Sequence, residues 1–131
     1  MKGPWNLGLK VDDIGAELRF LESCGATGIE QGVVSSPAGD ERFGMAFLGP
    51  QRLLMFEKLI YDEALPAPLP PGLKHAVFEV EDFAATLASY AARGVTPFFG
   101  PQQVTTPFDR RRIAFFRSPS GFIFEVFEIL R

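Results

Sequence analysis

Four polar side chains occupy positions in this sequence where they could do chemistry, namely Asn6, Glu57, His75 and Glu125. Glu125 is the most conspicuous, because it interrupts the otherwise apolar and aromatic run at 122–127. Side chains alternate along a strand, so Glu125 shares a face with Ile123 and Phe127. A carboxylate between such neighbours needs a hydrogen-bonding partner, a cation or a proton. The alternative is an edge strand on which Glu125 faces water.

Histidine occurs once in the chain, at His75. A neutral imidazole with two carboxylates, Glu57 and Glu125, is a suitable first shell for divalent iron, manganese, zinc or nickel. Open coordination positions would make such a metal a Lewis acid or a site for oxygen. The alternatives are structural. A lone histidine is often a structural residue that is hydrogen-bonded in the core or at the surface. Glu57 could be an exposed residue at a strand end, next to Lys58.

The elements that must position these side chains follow from hydrophobic periodicity and turn signals. The first part of the chain predicts a strand at 5–11, a helix at 13–24, and strands at 27–34, 42–48 and 52–58. Residues 61–72 contain four prolines and predict a semi-rigid linker. The remainder predicts a strand at 73–80, a helix at 82–93, a strand from residue 96, and a hairpin of 111–117 and 122–129.

The second set of elements repeats the first, so that modules at 1–60 and 73–131 both have the order β-α-β-β-β. A shift of 69 residues places Asp13 on Asp82 and Asn6 on His75, in the first strand of each module. After Pro50 the offset between the two halves decreases by one residue, so Glu57 aligns with Glu125 at a shift of 68. One module alone would leave a sheet face bare, so the two should pack together or with another copy. First and last strands brought together by pseudo-symmetry would place all four side chains in one cavity.

Composition excludes several classes of function. The chain has 131 residues, a formal net charge of −3 and a pI near 5.1, which does not suit nucleic-acid binding. The short basic run Arg110–Arg112 is predicted to be a solvated hairpin rather than an anion site. Cys24 is the single cysteine, and no signal sequence or long apolar run is recognised, so we expect a cytoplasmic protein without membrane contact. The 14 phenylalanines predict an aromatic interior.

Two segments carry a resemblance to a known family. They are KHAVFEVEDF at 74–83 and RRIAFFRSPSGFIFEVFE at 111–128, with looser matches in NLGLKVDD at 6–13 and LLMFE at 53–57. The chain resembles the vicinal oxygen chelate superfamily, which includes glyoxalase I, bleomycin-resistance proteins, methylmalonyl-CoA epimerase and extradiol dioxygenases. The resemblance implies an α+β fold in which two βαβββ modules form a curved mixed sheet around a cleft. It also implies a homodimer.

The resemblance assigns roles to the four polar residues. His75, Glu125 and Glu57 stand at metal-ligand positions, and Asn6 stands where metal-bound members have His or Gln. In isomerase-type members the metal holds two neighbouring oxygens of the substrate and stabilises an enediolate, while a glutamate at a ligand position moves the proton. By analogy, Glu125 or Glu57 would be the base here. The leading hypothesis is therefore a metal-dependent lyase or isomerase that acts on a small oxygen-bearing substrate.

Two other functions are compatible with the same resemblance. The first is a metal-free binding protein of the bleomycin-resistance type for a hydrophobic or aromatic molecule. The phenylalanine excess, Trp5 and the asparagine at position 6 favour it. The second is an extradiol dioxygenase, which usually needs a second histidine at its iron. With His75 alone, that chemistry is disfavoured.

Overall fold

A computed structural model describes all 131 residues. In the first half, strand β1 spans Pro4–Lys10, helix α1 Ile14–Ser23, β2 Thr27–Ser36, β3 Gly39–Leu48 and β4 Gln51–Phe56. A short 3₁₀ helix at Asp62–Ala64 lies in the connection. In the second half, β5 spans Gly72–Glu79, α2 Phe83–Ala91, β6 Phe99–Thr105, β7 Arg110–Arg117 and β8 Ile123–Leu130. The predicted α+β fold is confirmed.

The eight strands form one closed sheet in the order β1-β4-β3-β2-β6-β7-β8-β5. Within each half, the first strand pairs in parallel with the last, and the remaining neighbours are antiparallel. The halves join along two seams. The β1–β5 seam is antiparallel with six paired positions, whereas the β2–β6 seam has one, Ser35 with Thr105. The sheet therefore encloses a cavity within a single chain.

The two helices cover the outside of the sheet. Asp13 and Asp82 cap them, because each carboxylate accepts a hydrogen bond from the backbone N–H three residues later, at Ala16 and Ala85. Ile14, Leu18 and Leu21 of α1 pack on the outer face of the first half, and Phe83 of α2 packs on the second. Neither helix has the length and apolar character needed to cross a bilayer.

The pairing register corrects the predicted alignment of the two halves. Gly8 lies beside Leu54 in β1–β4, and Val77 lies beside Glu125 in β5–β8. Since Gly8 corresponds to Val77, the position equivalent to Glu125 is Leu54, and the alignment of Glu57 with Glu125 was wrong. The cause is the turn between the last two strands, which covers residues 49–50 in the first half and 118–122 in the second.

Candidate functional site

A cavity of about 80 Å³ lies inside the closed sheet. Both halves of the chain and the connection between them line it, so the cleft forms within one chain. Most of its wall is apolar, from residues that include Leu54, Phe56, Val77, Ile113 and Phe115. The polar groups that reach it are Asn6, Ser36, Glu41, Tyr61, His75, Thr106, Arg111 and Glu125. Such a volume holds several water molecules or a small organic group.

Glu125 is 8% exposed and lies on β8 with its side chain against this cavity. Burial raises the pKa of Glu125 to about 7, and the positive charge of Arg111 opposes that rise. No hydrogen bond from the protein contributes to the shift. The edge-strand alternative is therefore wrong, because β8 lies between β5 and β7. Near neutral pH the carboxyl group exchanges between its protonated and ionised forms.

His75 is buried against Tyr61, a residue of the connection between the two halves. The Tyr61 hydroxyl and His75 Nδ1 lie 2.8 Å apart and share a hydrogen bond. The two rings also meet edge to face, with centroids 5.5 Å apart. Burial lowers the pKa of His75 to about 4 and raises the pKa of Tyr61 above its ordinary value. Both groups are thus uncharged at neutral pH, and one imidazole nitrogen is already engaged.

Gly8 makes room for the His75 ring. The two residues face each other across the β1–β5 seam, and a Cβ atom at Gly8 would overlap the imidazole. The ring therefore lies directly over the β1 backbone. Glycine at this position and Tyr61 on the other side together fix where the imidazole points.

Asn6 is 2% exposed and lines the same cavity. It lies opposite Val77, which in turn lies beside Glu125, so Asn6 and Glu125 are two strands apart on the inner face. The Asn6 Nδ2 atom donates to the Leu7 carbonyl oxygen at 3.2 Å, whereas Oδ1 is buried without a hydrogen-bond partner. Asn6 Oδ1 and the Glu125 carboxyl group thus flank Val77, and neither accepts a hydrogen bond from the protein.

Arg111 is the cationic member of the cavity wall. Its guanidinium donates from Nε and Nη2 to the two carboxylate oxygens of Asp109, at 2.7 and 2.8 Å. The group also packs 4.2 Å from the ring centre of Phe127 and 4.6 Å from that of Trp5. Arg111 is only 4% exposed, so the prediction of a solvated hairpin was wrong for this residue. Its ion pair with Asp109 compensates the buried charge.

The structure does not bring Glu57 to the cavity. Its Oε2 atom accepts a hydrogen bond of 3.0 Å from the backbone N–H of Ile14, in the first turn of α1. Its Oε1 atom lies 3.4 Å from Arg42, and the side chain is 39% exposed. Glu128 does the same in the second half, where it accepts from the Phe83 N–H at 2.7 Å. Glu57 therefore corresponds to Glu128, and both stabilise a helix N-terminus.

Tyr61 and Arg111 line the cavity but were not among the predicted site residues. Tyr61 follows Leu59 and Ile60, and this apolar triplet just before the proline-rich segment is the signal that the linker begins inside the core. Arg111 alternates with Ile113 and Phe115, which places it on the inward face of a strand. Neither signal indicates a partner. The Tyr61–His75 and Arg111–Asp109 contacts depend on the tertiary fold.

The chain belongs to the Glyoxalase/Bleomycin resistance protein/Dioxygenase superfamily, because the model of that family matches residues 6–126. The resemblance inferred from the sequence is thereby confirmed. Among curated protein sequences no significant match is found.

Solved structures with the same fold have low sequence identity to this chain. A hypothetical protein from Bacillus halodurans C-125 has a TM-score of 0.71 and 17% identity, and the alignment covers 99% of this chain and 95% of that one. A Streptomyces coelicolor methylmalonyl-CoA epimerase variant in complex with 2-nitronate-propionyl-CoA has a TM-score of 0.69 and 21% identity, with coverage of 100% and 99%. A glyoxalase I mutant from Zea mays has a TM-score of 0.62 and 16% identity, with coverage of 98% and 43%.

Members of this superfamily commonly use a divalent metal, but the donors of this chain do not fit one. The four repeat-related positions in the first and last strands hold Asn6, Leu54, His75 and Glu125. Leucine cannot ligate a metal and a carboxamide is a weak donor, so His75 and Glu125 are the two strong donors among these four positions. No group of three or more His, Cys, Asp or Glu side chains is placed to hold a metal ion.

Proposed function

We propose that this protein binds a small, largely apolar molecule in the cavity of its closed sheet, without a metal, and that Glu125 anchors the ligand. The observation that carries the proposal is that Leu54 occupies the position of the first half that is equivalent to Glu125 in the second half. Two strong donors, His75 and Glu125, are then left where a metal site needs three or four. The aromatic and aliphatic wall around one carboxyl group suits a ligand with an apolar body and one polar end.

Ligand binding to chelator-treated protein tests this proposal. Trp5 is the single tryptophan and contacts Arg111, a member of the cavity wall, so its fluorescence should respond to occupancy. We expect small aromatic and branched aliphatic compounds to change the Trp5 signal saturably in the presence of a chelator. Elemental analysis of protein purified without chelator should find no stoichiometric metal. A metal requirement for binding would overturn the proposal in favour of a metal-dependent lyase or isomerase.

A matched pair of variants locates the binding site. Val77 lies in the cavity wall, so Val77→Phe should fill the cavity and abolish binding. Val33 is exposed on β2, so Val33→Phe adds the same group at the surface and should leave binding intact. Circular dichroism and thermal unfolding check that both variants fold, because overpacking costs about 1–3 kcal/mol. Binding that survives Val77→Phe in a folded protein would contradict the assignment.

A second candidate function is proton transfer by Glu125, as in a lyase or isomerase of this superfamily. The observation that favours it is the pKa of Glu125, which burial raises to about 7, close to the value that suits a general base. The ionised carboxylate would take a proton from a carbon next to a carbonyl group. Solvent deuterium exchange into a panel of small carbonyl compounds, followed by NMR, would reveal this activity, and Glu125→Gln should abolish it. An extradiol dioxygenase has no support beyond His75.

The homodimer implied by the family stays a prediction. Because both halves of one chain enclose the cavity, ligand binding would not depend on the second copy. Sedimentation at several protein concentrations measures the oligomeric state.

A further inference from the structure

We propose that the ligand of this cavity is a small organic ammonium ion, held by the Glu125 carboxylate and the Asn6 Oδ1 atom. The inference rests on the proposed binding function and names its ligand class. Two acceptors in the cavity wall, Asn6 Oδ1 and the Glu125 carboxyl group, receive no hydrogen bond from the protein.

The orientation of Asn6 makes its oxygen an acceptor that lacks a partner. Nδ2 donates to the Leu7 carbonyl oxygen, and the opposite orientation of the carboxamide would set two oxygens against each other. Oδ1 is therefore fixed as the atom without a partner, in a side chain that is 98% buried. A buried acceptor in this state costs free energy that a ligand N–H would recover.

Glu125 supplies the second acceptor and the charge. Its carboxyl group lies two strands from Asn6, with Val77 between them, so the two backbones are roughly 10 Å apart and the side chains can converge on one group. An ammonium carries three N–H donors and could satisfy both. A buried carboxylate forms a stronger hydrogen bond with an ammonium than with a neutral donor, because both partners are charged.

The other charges of the cavity also favour a cation. The bidentate contact with Asp109 offsets the positive charge of Arg111, part of which still acts on Glu125, while Glu41 adds a second carboxylate to the lining. The rings of Phe56, Tyr61 and Phe115 form part of the wall, and aromatic faces attract organic cations. The cavity volume of about 80 Å³ limits the ligand to an ammonium with a short carbon chain. A carboxylate ligand would instead face Glu41 and Glu125.

Isosteric probes that differ in charge test the ligand class. Isothermal titration at pH 8 compares isobutylammonium with isobutanol and isobutyrate. We expect isobutylammonium to bind roughly tenfold or more tightly than isobutanol, since a hydrogen bond to a charged group is worth more than a neutral one. Glu125→Gln should remove that preference. Glu81→Gln, at an exposed carboxylate outside the cavity, is the matched control and should keep it.

Asn6→Leu separates a ligand-binding role from a structural one. The change removes the acceptor that has no partner, so we expect the melting temperature to stay the same or rise while ammonium affinity falls. A merely structural Asn6 would show a lower melting temperature and unchanged selectivity for the ammonium.

The outcomes distinguish this inference from the proposed function. If isobutanol binds as tightly as isobutylammonium, and Val77→Phe abolishes both, the cavity binds ligands but the ammonium class is wrong. A preference for isobutyrate would also overturn the inference and would point to Arg111 as the anchor. If none of the probes, nor any compound of the apolar panel, binds the wild-type protein, both proposals fail together.

Discussion

At the scale of single residues, burial favours the uncharged form of three ionisable groups in the cavity wall, namely Glu125, His75 and Tyr61. Burial raises the pKa of Glu125 and lowers the pKa of His75, so both groups are neutral over the interval between about 4 and 7. Tyr61 keeps its proton throughout this range because its pKa is raised. The cavity thus contains no net charge of its own from these three residues until Glu125 ionises, or until a ligand makes ionisation favourable.

The stability of the protein should report the titration of Glu125. A raised carboxyl pKa contributes stability that is present below its ordinary value of 4.5 and is lost as pH rises through about 7. Relative to Glu125→Gln, the wild type should lose about 3 kcal/mol of unfolding free energy between pH 4 and pH 8. Urea denaturation of both proteins across this range measures the difference. His75 acts in the opposite direction but cancels in the comparison, and a constant difference would contradict the assignment.

The Tyr61–His75 hydrogen bond should behave as one coupled unit. Tyr61→Phe leaves His75 Nδ1 buried without its partner, so we expect a loss of about 1–2 kcal/mol. In a double-mutant cycle with His75→Leu, the second substitution should cost less once the first is present. Denaturant unfolding of the four proteins gives the coupling energy. Strict additivity would show that the two side chains contribute independently.

At the scale of elements, most helices and strands were predictable to within a few residues. Helical spacing at Ile14, Leu18 and Leu21, with the cap at Asp13, defines α1 from local information alone. Which residues of the two halves are equivalent in the last strand was harder to predict, since it depends on the length of the turn before that strand. A carboxylate at Glu57 satisfies the sequence pattern of a ligand and that of a helix-terminus contact, and only the pairing register distinguishes them.

Glu57 should therefore matter for stability and not for binding. Removing its charge weakens the contact with the α1 N-terminus, so Glu57→Gln is expected to cost about 0.5–1 kcal/mol. Ligand affinity, measured by Trp5 fluorescence, should stay at the wild-type value. Glu128→Gln in the second half is the matched variant, with an effect of similar size on unfolding. A large loss of ligand affinity in Glu57→Gln would contradict this assignment and would indicate that Glu57 contributes to the binding site.

At the scale of the whole molecule, the closed sheet is unevenly closed. The β1–β5 seam has six paired positions, and the β2–β6 seam has one, between Ser35 and Thr105. Val34, Ser36, Val104 and Thr106 flank that single pair and also line the cavity. Because a seam with so few backbone hydrogen bonds opens more readily than the rest of the sheet, we expect ligands to enter there.

A reversible cross-link tests this route. Ser35→Cys and Thr105→Cys, combined with Cys24→Ser, should form a disulfide, since paired antiparallel positions have Cα atoms about 4.5–5.5 Å apart. Stopped-flow fluorescence should show association and dissociation both slowed by roughly tenfold or more in the oxidised protein, with the dissociation constant little changed. Reduction should restore both rates. Equal rates in the oxidised and reduced proteins would place the entrance elsewhere.

Asn6 is equivalent to His75, and Leu54 is equivalent to Glu125, in the two halves of the chain. Only the second half therefore has metal-ligating side chains at these positions. The backbone already presents four inward positions related by pseudo-symmetry, and the second module alone supplies strong donors. Asn6→His together with Leu54→Glu would copy that pair into the first module. We expect the double variant to acquire stoichiometric zinc or nickel, seen by elemental analysis, together with a higher melting temperature when loaded. Two substitutions would then separate a binding protein from a metalloprotein on one backbone, an evolutionary step short enough to be taken in either direction.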